Sequence, residues 1–265
     1  MSPLTRSVLT GVVLALAPCV LPAQGRGGEP PKNLQVLPKD FTRQQVVGVM
    51  NGFTAALGVK CEHCHMEDAN AAAAGPPAGG PPGGGRGGPP LDFASDAKEN
   101  KKVAREMLKM VIDINGKYLP LTGRTIGERD KVNCETCHHG LSRPQTLRTA
   151  LAIAAEASGA DSATALYRAL RTRYYGSASY DFSESALTVA AQDLARMNQA
   201  PAALALLKLN LEYFAQSAPT LVALAQVQLQ KGDTAQAIDA LKKASAIQPT
   251  NPQVRGMLQR LGVTP

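Results

Sequence analysis

The sequence predicts an all-α chain in two parts, and three observations carry that expectation. Ala, Leu, Gln and Lys dominate the second half, residues that lose little on entering a helix, while aromatics are few and Trp is absent. In the first half, two segments place apolar residues on one helical face, and each runs on toward a C-x-x-C-H pattern. In the second half, the sequence aligns with itself without gaps at an offset of 34, Ala203 over Ala237 and Leu207 over Leu241.

The 265 residues suffice for one large or two small domains. The formal charge of +7 is moderate, and no long Lys/Arg run occurs. There is neither a groove-reading helix nor an aromatic platform, so a nucleic-acid partner is not expected. The opening "MSPLTRSVLTGVVLALAPCVLPAQG" has Arg6 as its only charge, then an apolar run from Val8 to Val20. It reads as a secretory signal over 1–23, cut after the small residue Ala23. A retained anchor is the competing reading, but the run is short for a bilayer and Pro18 interrupts it. Pro18 also stands where a lipoprotein box would carry a small residue before Cys19. The mature chain is therefore expected to be periplasmic or otherwise extracytoplasmic.

Cleavage removes Cys19 and leaves Cys61/Cys64 and Cys134/Cys137, in "VKCEHCHMED" and "NCETCHHG". Disulfides within C-x-x-C pairs would close tiny loops and staple little. A thioredoxin-like site would come once, inside a βαβ pattern. Two C-x-x-C pairs could build a four-thiolate zinc site, but zinc leaves His65 and His138 without a task. C-x-x-C-H is the attachment signature of c-type haem. Two thiols add across the vinyl groups, a short helical turn apart, and the next residue sets its imidazole under the iron. Cys61, Cys64 and His65 would hold a first haem, and Cys134, Cys137 and His138 a second. The cofactors expected are two covalently bound haem c groups.

Of the four histidines, His63 and His139 lie too close to their own motifs to reach the opposite face of their own haem easily; each could reach the other haem, but surface or propionate contact is the favoured reading. Methionine, or an open position, is left as the second axial ligand. In "DFTRQQVVGVMNGFTAALGVKCEHCH", Thr42 and Gln45 form a capping box, and Val46, Met50, Phe53 and Leu57 share a face that Gly58 ends. Met50 could be a core methionine. A helix leading straight into a haem motif favours it as a thioether ligand. In "DFASDAKENKKVAREMLKMVIDINGKYLP", Asp96 and Glu99 read as a cap pair, with Val103, Met107, Met110 and Ile114 on one face. Spacing and periodicity do not choose between Met107 and Met110.

From about Asn33 to Pro144 these stretches, with "VNCETCHHG", resemble the cytochrome subunit of photosynthetic reaction centres and related exported multihaem cytochromes. In that family a haem unit is a helix carrying a methionine ligand, a loop, then C-x-x-C-H. The resemblance implies Met50 for the first unit. For the second it implies Met107, which stands two helical turns before Asn115. Three features depart from the family. There are motifs for two haems rather than four, His139 stands where Arg is common, and the Gly/Pro-rich insert 70–90 swells the first loop. These put donation to a photosynthetic reaction centre in doubt, and the electron-carrier reading less so.

After Pro144, "PAALALLKLNLEYFAQSA" from Pro201 and "AQAIDALKKASAIQPTNP" from Ala235 repeat with the period of tetratricopeptide units, which they resemble. "SESALTVAAQDLARMNQ" and "PTLVALAQVQLQKGD" supply the first helices of the two pairs. "ALYRALRTRYYGSASYDFSE" adds a less regular capping helix. Tyr174, Tyr175 and Tyr180 belong either to a docking surface or to the core.

The expected architecture is a dihaem c-type cytochrome module over 24–144 followed by a tetratricopeptide-like helical array over 145–265. The expected function is one-electron transfer between redox protein partners, not enzymatic turnover. Docking or self-association would run through the array, and peripheral membrane association is left open. Three other readings stand beside it: a dihaem peroxidase-like enzyme, a haem protein polymerising into a conductor, and a haem sensor or scaffold. No acid/base residue evidently accompanies an open haem face.

Overall fold

Thr42 starts the first helix. Its hydroxyl accepts from the Gln45 amide while the Gln45 side chain accepts from the Thr42 amide, the reciprocal box expected from the sequence. In the computed structural model, which describes residues 30–69 and 90–264, this helix (α1, Arg43–Leu57) ends at Gly58 with φ +64. The Gly58 amide bonds Ala55 O and the Val59 amide bonds Thr54 O, a Schellman closure. The leader over 1–23, and the insert apart from Pro90, lie outside the described residues.

The first cysteine motif is a 3₁₀ turn, Cys61–His63. A two-residue antiparallel ribbon follows, β1 (Met66–Glu67) against β2 (Leu91–Asp92), with Met66 opposite Asp92 and Glu67 opposite Leu91. Helix α2 spans Glu99–Asp113. Asp96 does not cap it, contrary to the sequence expectation: Lys98 is the N-cap residue and makes no side-chain cap bond. Asp96 instead accepts from Asn33, Gln35, Lys101 and Arg105 and ties the N-terminal strap to the start of α2. The helix runs on through a π-turn (Ile114–Tyr118) into two 3₁₀ turns. Helix α3 (Cys134–His138) is the second cysteine motif, capped by a box between Asn133 and Thr136.

The rest is helical array. Helix α4 (Leu147–Tyr174) is kinked at Ser158 and Gly159, where Gly159 has φ +78. It begins well before the stretch the sequence reading marked as the cap. Four helices follow: α5 (Glu184–Arg196), α6 (Ala200–Tyr213), α7 (Ala218–Gln230) and α8 (Thr234–Ile247). The pairs α5/α6 and α7/α8 begin 34 residues apart, at Glu184 and Ala218 and at Ala200 and Thr234. This is the repeat spacing read from the sequence. Helix α9 (Pro252–Arg260) closes the stack.

The core lies almost wholly in this array, from Leu147 to Leu258, with Tyr167, Leu187, Leu206 and Leu241 fully buried. Tyr174 and Tyr180 pack against it, edge to face with each other at 5.5 Å. Tyr175 is exposed, with the Arg171 guanidinium over its ring. Among the described residues no helix is long and apolar enough to cross a membrane.

Candidate haem site

Hydrophobic burial nearly vanishes in the module formed by α1, α2 and the cysteine motifs. Ala56 and Leu141 are its buried apolar residues among those described, joined by two polar ones, His65 and His138. Helix α2 buries no residue. On its apolar face Val103, Met107 and Met110 are all exposed, Val103 to 51%. An amphipathic helix normally turns such a stripe onto a partner. Among the described residues nothing covers this one. The two motif histidines, by contrast, are withdrawn from water.

Local bonds explain how each histidine is held. In the second motif the His138 ring Nδ1 donates to the Leu141 carbonyl at 2.6 Å. A carbonyl only accepts, so the proton sits on Nδ1 and Nε2 carries the lone pair a metal needs. The turn that brings Leu141 back uses two left-handed residues, His139 (φ 47) and Gly140 (φ 82). Ser179, from the loop after α4, clasps the His139 carbonyl at 2.5 Å and so joins the turn to the array.

His65 packs edge-on against Phe93 of the β2 arm, with ring centroids 4.9 Å apart. Burial first, and then the nearby Lys101, push its pKa down, so the ring is neutral at neutral pH and its lone pair is free. Lys101 gathers the carbonyls of Phe93, Ala94 and Ser95 and thereby fixes the arm. No disulfide joins the four motif cysteines. Burial pushes the Cys64 and Cys134 thiols up, which keeps them protonated.

The two half-sites are braced across one another. The Gly140 amide, just past the second motif, donates to Ala56 O at the end of α1 at 2.8 Å. Asn100 near the start of α2 donates to the His63 carbonyl at 3.1 Å, and Lys98 bonds the Glu62 carbonyl. Each methionine-bearing helix therefore touches the other unit's cysteine motif. Asn115 contributes a further brace, which the sequence reading used only as a family landmark. Its carboxamide donates to Val132 O at 2.7 Å and accepts from the Val132 amide at 2.8 Å. This ties the end of α2 to the residues that lead into Cys134.

The residues fit a large apolar ring bearing a metal. Buried imidazoles, paired thiols at the required spacing and an exposed thioether-bearing face on α2 stand in a module that, among the described residues, has almost no protein core. A zinc centre fits less well: among the described residues no three His, Cys, Asp or Glu side chains are gathered to hold a metal ion. Met50 is half-buried in mid-helix, and Met107 lies one turn before Met110 on the open face of α2.

The family model of the photosynthetic reaction centre cytochrome C subunit matches residues 85–203. A tetratricopeptide repeat model matches residues 194–261. The first match takes in Met107, Asn115 and the second motif, then continues past Pro144 into α6. The order of the two is the one the sequence suggested. No curated protein and no solved structure matches the chain.

Proposed function

We propose that the chain, which matches the reaction centre cytochrome subunit family through its second half-site, is an exported carrier of single electrons holding two haem c groups. The observation that carries this reading is the module of two buried imidazoles with almost no core of its own. Cys61 and Cys64 would anchor the first group and Cys134 and Cys137 the second. His65 and His138, together with Met50 and Met107, would hold the two irons. When bound, the haem iron supplies a one-electron couple.

The chain's own residues do the rest. The Leu141 carbonyl and the Phe93 ring fix the two imidazole planes. The cross-braces from Gly140 and Asn100 hold the two units as one body, so that little rearrangement accompanies a change of charge. Thioether ligation raises the potential relative to two imidazoles. The helical array, anchored at Ser179, is the surface through which protein partners are recruited.

The first test is an optical spectrum of protein expressed in a host with cytochrome c maturation. Two covalent haems by pyridine haemochrome, with the weak near-infrared band of His/Met ligation in the oxidised form, support the carrier. Two haems without the band favour a peroxidase-like enzyme or a sensor with an open position. The absence of haem returns the motifs to zinc.

A further inference from the structure

His65 and His138 occupy the same place in their motifs, yet their inner ring nitrogens meet different surroundings. His138 Nδ1 gives its proton to the Leu141 carbonyl, and the Leu141 amide returns a bond to His138 O at 2.8 Å. His65 Nδ1 is just as thoroughly removed from solvent, and it meets no hydrogen-bond partner among the described residues. A bond donated from Nδ1 makes the imidazole a stronger donor to a metal through Nε2 and so favours the oxidised ion.

We propose that the two half-sites are unequal, the His138 site having the lower reduction potential and the His65 site the higher. This rests on the dihaem reading above. A single electron shared by the pair then resides on the His65 side. In that transfer the iron on His138 goes from ferrous to ferric and the iron on His65 from ferric to ferrous. One electron moves, and no proton moves or bond breaks. The ordering gives the carrier a direction. The His138 side, which abuts the helical array at Ser179, faces a one-electron donor protein, and the His65 side faces a one-electron acceptor protein.

The experiment is a spectroelectrochemical titration of the holoprotein, wild type and two variants, beside a pyridine haemochrome count. Replacing a thioether by an imidazole lowers the potential of its own site. Two resolved one-electron waves are expected, with Met50→His lowering the upper wave and Met107→His the lower one. Coincident waves, or Met50→His acting on the lower wave, overturn the proposal. Should neither variant move a wave, methionine is not the ligand, and Cys61→Ser with Cys64→Ser assigns the waves. That single-haem form retains the lower wave if the ordering is right and the upper wave if it is wrong. Fewer than two covalent haems in the wild type sinks the dihaem reading itself, and the ordering with it.

Discussion

Gly58 and Gly140 meet backbone to backbone. A Cβ on Gly58 would lie 2.1 Å from the Gly140 carbonyl oxygen, and Gly58 holds φ +64. The end of the Met50 helix is thus seated on the turn beyond the second cysteine motif, at a contact only glycine permits.

Gly58→Ala should therefore damage both units together. Left-handed backbone costs a non-glycine residue about 1–2 kcal/mol, and the clash with backbone adds to it. A loss of at least about 2 kcal/mol is expected, seen as a lowered midpoint in thermal unfolding of the holoprotein. A midpoint within a degree of wild type would show that α1 does not depend on this seat.

Met107 and Met110 are separable by substitution. Met107→Leu should abolish the near-infrared ligation band of one haem, whereas Met110→Leu should leave both bands in place. Asn115→Ala, by loosening the end of α2, should weaken the same band as Met107→Leu. It should also destabilise the fold by about 1–3 kcal/mol, because the Val132 amide and carbonyl lose their partner. Loss of a band in Met110→Leu with none in Met107→Leu would reverse the assignment.

Cofactor removal should divide the chain. With the four motif cysteines replaced by Ser, hydrogen exchange over residues 30–69 and 90–144 should become fast, because these described parts of the module bury so little apolar surface of their own. Residues 147–263 should stay protected by the core that runs from Leu147 to Leu258. Equal protection in both halves would mean that the module is held by something other than the ring.

Asp96 makes a prediction about acid. Bonds from Arg105 first, then from Asn33 and Lys101, hold its carboxyl well below the usual carboxylate range. A depressed folded pKa means stability that is present above the unfolded value near ~4 and fades as pH falls below it. Asp96→Asn should thus lower the unfolding midpoint at neutral pH. Its deficit should shrink on acidification below about pH 4, near the unperturbed carboxyl value. A deficit independent of pH would remove the charge from the explanation.

The helices were legible because their signals are local. The Thr42 and Gln45 box, the Gly58 stop and the 34-residue spacing all appear where the sequence put them. Asp96 misled because an acidic residue three positions before Glu99 looks like a cap. What it serves, however, are Asn33 and Gln35, more than sixty residues away in the chain. The braces at Ala56, His63 and Val132 were invisible for the same reason. Each ends on a backbone group elsewhere in the fold, and backbone groups leave no mark in composition. The sequence reading marked only the part of α4 from Ala165 onward, whereas Ala155 and Ala163, on either side of the kink at Ser158 and Gly159, both reach the core.

The ribbon of β1 and β2 draws the chain into a neck. The Asp68 amide bonds Pro90 O at 2.8 Å, so the chain leaves and re-enters the module at neighbouring points. The entropy of closing a loop grows only logarithmically with its length. Whatever occupies the span between these ends can lengthen, shorten or be exchanged for a foreign domain, while His65 and its Phe93 support stay where they are. The pairing of Asp68 with Pro90 is a built-in graft point of the module.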